Sequence, residues 1–242
     1  AMKNILFVAS ECVPFVKTGG LADVVGALPK YFDKEKYEVR VILPNYRFIP
    51  AKWKERMQFV TSFYMDMAWR SQYVGIMEME YAGIHYYFID NEYYFNGDKP
   101  YGYIHEDVEK FAFFSRAALS ILPVVGYQPD IHNLKFQGVW NIPTVQDATG
   151  LDMSYFTADK LEAFGDANYL KGGIVYAVRI TTVSRTYAEE IKTPFFGEHL
   201  DGLMRARAGQ LTGIVNGLDY DEWNPQTDEH IYKNYSVDNF RK

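Results

Sequence analysis

Lys17, Gly19 and Gly20 are the residues of this chain whose types and spacing speak most directly of chemistry. They lie in Phe15-Val16-Lys17-Thr18-Gly19-Gly20-Leu21-Ala22-Asp23-Val24-Val25-Gly26-Ala27-Leu28-Pro29-Lys30, shortly after the apolar run Ile5-Leu6-Phe7-Val8-Ala9. Two adjacent glycines let a backbone turn tightly and come close to a ligand, because neither carries a Cβ. Leu21, Val24, Val25 and Leu28 recur at helical spacing, so the stretch reads as strand, loop and helix. The first turn of such a helix aims unpaired N–H groups and a partial positive charge at the mouth of the loop, and Lys17 adds a full charge. A phosphate or diphosphate suits that end. Glycines also occur in βα loops that hold nothing. The spacing here is neither G-x-G-x-x-G nor G-x-x-x-x-G-K-[ST], so neither a dinucleotide fold nor a P-loop is indicated. Asp23, in the expected first turn, reads simply as an acid favoured by the helix dipole.

His132 and Asn133 follow an apolar stretch, and two readings stand beside each other. A lone histidine without a spaced partner is commonly structural. Followed by Asn at the carboxyl end of a strand, it could instead hydrogen-bond a ligand hydroxyl, since ligands of open α/β sheets bind there. Asn216-Gly217 reads most simply as a turn at positive φ. His85, His105, His199 and His230 show no metal-ligand spacing, so no metal site is expected. Aromatic residues make up 17% of the chain and serve mainly to pack a core. Tyr94, Tyr101 and Trp140, near loops, are candidates for flat platforms under a ligand ring.

The elements that must position these residues are legible as alternation and periodicity. Asn4 to Ser10 reads as a buried strand, Gly20 to Phe32 as a helix, and Glu38 to Leu43 as a second strand ended by Pro44. A strand, helix, strand unit of this spacing implies a right-handed crossover and a parallel sheet. Gln58 to Met65, Tyr73 to Tyr81 and Ile84 to Ile89 read as antiparallel strands added to that sheet, with Ala82-Gly83 as a tight turn. From His105 the period becomes helical, with Val108, Phe111, Ala112, Ser115, Leu119 and Leu122 on one stripe, closed by Pro123 and Gly126. Asp166 to Ala177 reads as a helix and Ile180 to Val183 as a buried strand. Ser184 reads as the N-cap of a helix to about Ile191, and Leu211 to Val215 as a last strand. The class is α/β.

At 242 residues the chain can bury a substantial core, and its length suits one large domain as well as two small ones. Its apolar content of 48% and charged content of 23% describe a folded globular protein. No apolar run is long enough to span a bilayer, so no membrane partner is expected. The single cysteine, Cys12, allows no internal disulfide and suits a reducing cytoplasm. A net charge of -6 argues against a nucleic-acid partner.

Lys17-Thr18-Gly19-Gly20-Leu21-Ala22-Asp23-Val24 resembles the signature of bacterial glycogen synthases and plant starch synthases. Ile131-His132-Asn133-Leu134-Lys135-Phe136-Gln137-Gly138, Thr181-Thr182-Val183-Ser184 and Asn216-Gly217-Leu218-Asp219 are similar to further segments of that family, in the family's order and across nearly the whole chain. The resemblance implies a retaining glucosyltransferase of the two-domain GT-B type. Each half is Rossmann-like, a mostly parallel sheet with helices on both faces. Such enzymes move glucose from ADP-glucose, or UDP-glucose, to the non-reducing end of an α-1,4-glucan, and no cofactor is implied. By resemblance, Lys17, Gly19 and Gly20 meet the diphosphate with Asp23 beside them, and His132 holds the transferring glucose. Asn133, Asn216 and Tyr94 are further substrate contacts, and Lys17 and His132 are the catalytic pair. The family continues into a C-terminal domain carrying the nucleotide pocket. Residues 1–242 are therefore expected to be the N-terminal half, with little or no transfer activity alone. Asp130 also runs straight into Ile131, where the family has an intervening strand, loop and helix. The alternative is a non-catalytic α/β module that binds malto-oligosaccharide or a nucleotide sugar.

Overall fold

A computed structural model describes residues 2–102, 104–127, 130–132, 138–220 and 223–239. The chain divides into two compact units, Ala1–Ala177 and Val178–Lys242.

The first unit is built on a six-stranded sheet. Its strands are β1 (Lys3–Val8), β2 (Tyr37–Pro44), β3 (Gln58–Met67), β4 (Arg70–Tyr81), β5 (Ile84–Asp90) and β6 (Asp130–His132), in the order β3-β4-β5-β2-β1-β6. β5, β2, β1 and β6 run parallel, while β3, β4 and β5 form the expected antiparallel extension. Ala82 and Gly83 turn between β4 and β5 with φ of 50° and 71°. Such left-handed residue pairs close tight hairpins because their twist matches that of the strands.

Period-two alternation sends the side chains of β5 to opposite faces, and both faces are covered. Tyr86 and Phe88 meet the Phe15 ring at 5.0 and 5.2 Å, with Trp53 beyond it at 5.3 Å. On the other face the Tyr87 hydroxyl accepts from Arg40, whose guanidinium lies 4.2 Å over the Tyr127 ring. The Tyr127 hydroxyl in turn donates to the Ile5 and Glu38 carbonyls at 2.9 and 2.7 Å. The expected α/β class and its helix-flanked sheet are what the chain forms.

The helices depart from expectation in instructive ways. α1 (Gly20–Ala27) stops before Phe32, and Leu28–Tyr31 tightens into a 3₁₀ turn around Pro29, which has no N–H for the α-helical ladder. Gly26 in α1 is required by close approach, since a Cβ there would lie 2.8 Å from the Val13 carbonyl oxygen. Two short turns, α2 (Ala51–Lys54) and α3 (Glu92–Phe95), precede the long α4 (Ile104–Val124). α4 forms as expected and turns part of the expected stripe inward. Val108 is buried, and Phe111, Ala112 and Leu122 pack against the core, whereas Ser115 and Leu119 are exposed. Phe113, Phe114, Ala117, Ala118 and Ile121 are buried in addition. The helix is apolar around more than one side, and the bulkier Phe113-Phe114 pair takes the core. Pro123 sits inside its last turn rather than beyond it.

A second small sheet follows, with β7 (Val139–Asn141), α5 (Ile142–Thr149), β8 (Glu162–Ala163), β9 (Asp166–Asn168) and α6 (Tyr169–Tyr176). The helix expected from Asp166 therefore begins three residues late. Asp166–Asn168 pairs with β7 and β8, and the Asn168 side chain caps α6 by accepting from the Lys171 N–H at 2.8 Å.

The second unit holds β10 (Ile180–Thr182), α7 (Arg185–Glu190), α8 (Asp201–Ala206) and β11 (Leu211–Gly213), with β10 and β11 paired in parallel. Ser184 caps α7 as expected, accepting from the Tyr187 N–H at 2.9 Å. Both strands are shorter than expected. Val183 and Val215 lie outside the ladder and are exposed. No helix among the described residues is long and apolar enough to cross a membrane.

Candidate functional site

The loop between β1 and α1 carries the densest set of chemistry-bearing groups. Gly19 is fully extended, with φ of -162° and ψ of -172°, and Gly20 begins α1. A Cβ added at either glycine would meet nothing within 4 Å. Neither glycine is therefore demanded by a left-handed backbone or by the protein's own packing. What their small size provides is open space in front of the helix.

The backbone donors at this end divide into two groups. Thr18 donates its N–H at 2.5 Å and its hydroxyl at 2.8 Å to Oε2 of Glu11, and the Gly19 N–H reaches the same oxygen at 3.2 Å. Ala22 donates to the Gly19 carbonyl at 3.2 Å. The N–H groups of Gly20 and Leu21 donate to no group among the described residues, and they are the donors of the first turn that an incoming anion can use.

Lys17 belongs to the same loop. Its Nζ lies 2.6 Å from Oδ1 of Asp23 with both side chains about half exposed, which holds the ammonium against the first turn of α1. An ion pair this open adds little stability, so its consequence is placement. The same loop contains Cys12, fully buried, and burial pushes its thiol up to about 12. It stays a thiol at neutral pH and supplies no nucleophile.

The other expected residues are distributed as follows. The backbone of His132 lies in β6, paired with Phe7 of β1; its side chain lies outside the described residues, as does all of Asn133. Asn216 is exposed in an irregular stretch after β11, and Gly217 beside it does not take the positive φ expected of a turn. Tyr94 is buried, its ring stacked on Phe113 at 4.5 Å and its hydroxyl donating to Glu109 at 2.6 Å. Only 7% of it is exposed, while the neighbouring Tyr93 is 77% exposed. The Tyr101 hydroxyl turns inward to Ser10 at 2.5 Å and Glu11 at 3.3 Å. Trp140 packs against Tyr169 at 5.5 Å. Among the described residues no three His, Cys, Asp or Glu side chains gather in a way that could hold a metal ion.

The residue that sequence reasoning passed over is Glu11, only 3% exposed. Its one signal is a charge set in the otherwise uncharged run from Val8 to Val16. Its partners are two backbone N–H groups and the Thr18 hydroxyl seven and eight residues away, and the Tyr101 hydroxyl ninety residues away, which no side-chain spacing reveals.

The chain matches the family described as starch synthase catalytic domain over residues 4–131 and again over 130–206. It is 59% identical to the glycogen synthase of Lachnospira eligens and 57% identical to that of Lachnoclostridium phytofermentans. Each alignment runs over 275 positions and covers 100% of this chain and 58% of the relative. The solved catalytic domain of Starch Synthase IV from Arabidopsis thaliana, bound to ADP and acarbose, aligns with a TM-score of 0.85 at 26% identity, covering 97% of this chain and 56% of that one. The chain thus spans a little over half the length of the relatives it matches. The two parts of the family match meet at Asp130 and Ile131, and 275 positions are needed to align 242 residues, so the relatives carry residues that this chain does not.

Proposed function

The chain belongs to the starch synthase catalytic domain family, and from that premise we propose that it forms the acceptor-side half of a retaining glucosyltransferase acting on ADP-glucose and an α-1,4-glucan. The observation that carries this reading is the open space before Gly19 and Gly20, with the undonated N–H groups of Gly20 and Leu21 in the same first turn whose Asp23 pairs with the Lys17 ammonium. When a glycosidic bond to a nucleoside diphosphate breaks, negative charge builds on the leaving phosphate. Oriented N–H dipoles and a fixed cation aimed at that phosphate lower the barrier because they need no reorganisation as the charge develops.

In this assignment the anion seat consists of Lys17, Gly19 and Gly20, with Asp23 holding Lys17 in place. Gly19 contributes clearance rather than a donor, because its N–H is given to Glu11. His132 and Asn133 are assigned to the transferring glucose and Asn216 to the donor, in each case by family resemblance alone. Tyr94 serves by packing. By family resemblance, nucleotide choice is assigned to the C-terminal domain into which the family continues.

The test is a titration of the 242-residue chain with ADP and with inorganic pyrophosphate, followed by phosphorus NMR. Lys17→Ala is expected to weaken both at least about tenfold, equivalent to about 1.4 kcal/mol. Equal affinity in the variant and the parent would remove the anion seat from the reading.

A further inference from the structure

We infer that Glu11, itself fixed by Tyr101, is a positioning residue that sets the shape of the anion-binding loop and selects which of its N–H groups remain for the ligand. The inference rests on the anion seat proposed above and adds how that seat is held open.

Two consecutive glycines with no neighbour near either Cβ position have no steric reason to keep one conformation, and glycine loses more freedom on ordering than any other residue. Some other contact must supply the order. Glu11 supplies it with three donors on one carboxylate oxygen: the Thr18 N–H, the Thr18 hydroxyl and the Gly19 N–H. Bonds from N–H groups to an ionised carboxylate are about twice as strong as neutral ones, and a buried carboxylate requires such partners. The extended Gly19 between Thr18 and the helix start is thus tied at a defined place. Because Glu11 takes the donors of Thr18 and Gly19, the first free ones are those of Gly20 and Leu21, in the turn whose Asp23 pairs with Lys17.

Glu11 is in turn held from the far side. Its second oxygen accepts from the Tyr101 hydroxyl at 3.3 Å, and that hydroxyl also meets Ser10 Oγ at 2.5 Å. Burial, with the Glu11 carboxylate alongside, keeps the Tyr101 phenol above its ordinary value, so it remains protonated. The loop carrying Tyr101 is fastened to the start of α4. Lys110 donates to the Pro100 carbonyl at 2.8 Å, and the Gly102 N–H donates to Asp107 at 2.9 Å. A continuous set of contacts therefore runs from α4 through Tyr101 and Glu11 to the glycines.

The experiment compares the 242-residue chain with its Glu11→Ala, Glu11→Gln and Tyr101→Phe variants. It measures pyrophosphate affinity by phosphorus NMR and amide exchange at Thr18 and Gly19. Glu11→Ala is expected to lose at least about tenfold in affinity and to lose protection at those two amides, while circular dichroism shows it folded. Glu11→Gln, whose carbonyl can still accept, should recover most of both losses, and Tyr101→Phe should fall between. A folded Glu11→Ala that binds pyrophosphate as tightly as the parent overturns the inference and leaves the anion seat standing. A parent chain that binds no pyrophosphate removes the seat and this inference together. If Glu11→Ala does not fold, the other two variants decide. Unchanged affinity and unchanged exchange in both would count against the tether.

Discussion

The first unit and the second both end a parallel ladder in a loop that the sequence marks for chemistry, yet they build it to different depths. β1 and β2 share a register of six residue pairs, and β2 and β5 share five, with packed aromatic and charged side chains on both faces. β10 and β11 share three pairs. Around them Val183, Ile214 and Val215 are 54%, 56% and 72% exposed. Parallel sheets draw their stability from cover on both faces, so an apolar strand pattern specifies burial only where other chain packs against it. The loops differ in the same sense. The one after β1 is tied to a buried carboxylate, whereas the stretch after β11 runs irregularly with Asn216 exposed.

The sharpest test of that contrast is to remove a core side chain from each ladder. Phe88 is completely buried and meets Phe15 edge-on at 5.2 Å, so Phe88→Ala leaves a large hole among rigid aromatic neighbours. The expected cost is about 3–5 kcal/mol, read from urea unfolding followed by Trp53 fluorescence. Ile180 in β10 is 3% exposed, but its surroundings are thinner and can collapse into the space. Ile180→Ala is expected near the low end for such truncations, about 2 kcal/mol, read from amide exchange at Thr181 and Thr212. Equal costs at the two positions would mean that the second ladder is as well supported as the first.

The same contrast governs what could be read from residues alone. The strands β1 to β5 are legible in the sequence because alternation and the Ala82-Gly83 turn are local signals of a local structure. The existence of α4 is legible for the same reason, but its inward stripe only in part, through Val108 with Phe111, Ala112 and Leu122. When a helix is apolar on several sides, packing volume chooses the face, and Phe113 with Phe114 won over Ser115 and Leu119. Asp166–Asn168 was misassigned because Asn168 serves equally as a strand end and as a helix cap, and only pairing with β7 decides. Tyr94 and Tyr93 are adjacent and chemically alike, so which ring is buried depends on where α3 meets α4. The glycine loop and Lys17 could be named from sequence. Glu11 could not, because its partners, two backbone N–H groups and the Thr18 and Tyr101 hydroxyls, are brought to it only by the folded chain.

Smaller effects are expected where the hairpin of β3 and β4 is tied to its neighbours. Arg70 Nε lies 3.0 Å from Glu109 of α4, and its NH2 lies 2.9 Å from the Asp147 carboxylate of α5. The Trp69 indole donates to the same carboxylate at 3.0 Å. Arg70→Ala removes charged hydrogen bonds at a largely covered position, and a loss of about 2 kcal/mol is expected in urea unfolding.

The smallest effect concerns the acid limb of that tie. The Arg70 guanidinium, and after it the Trp69 indole, hold the Asp147 carboxyl below the usual carboxylate range. A carboxyl whose folded value lies below its unfolded one, about 3.9, contributes its stabilisation fully above that value and loses it as pH falls through the folded value. The tie is therefore expected to be constant from about pH 8 to pH 5 and to weaken only below about pH 4. Amide exchange in α5 checks this, because Asp147 lies within that helix. In Asp147→Asn the acid-dependent step should vanish while the neutral-pH protection of α5 drops slightly, since the amide keeps an acceptor for Trp69 but no charge for Arg70. Protection that instead falls between pH 7 and pH 5 would show that another group sets the docking of this hairpin.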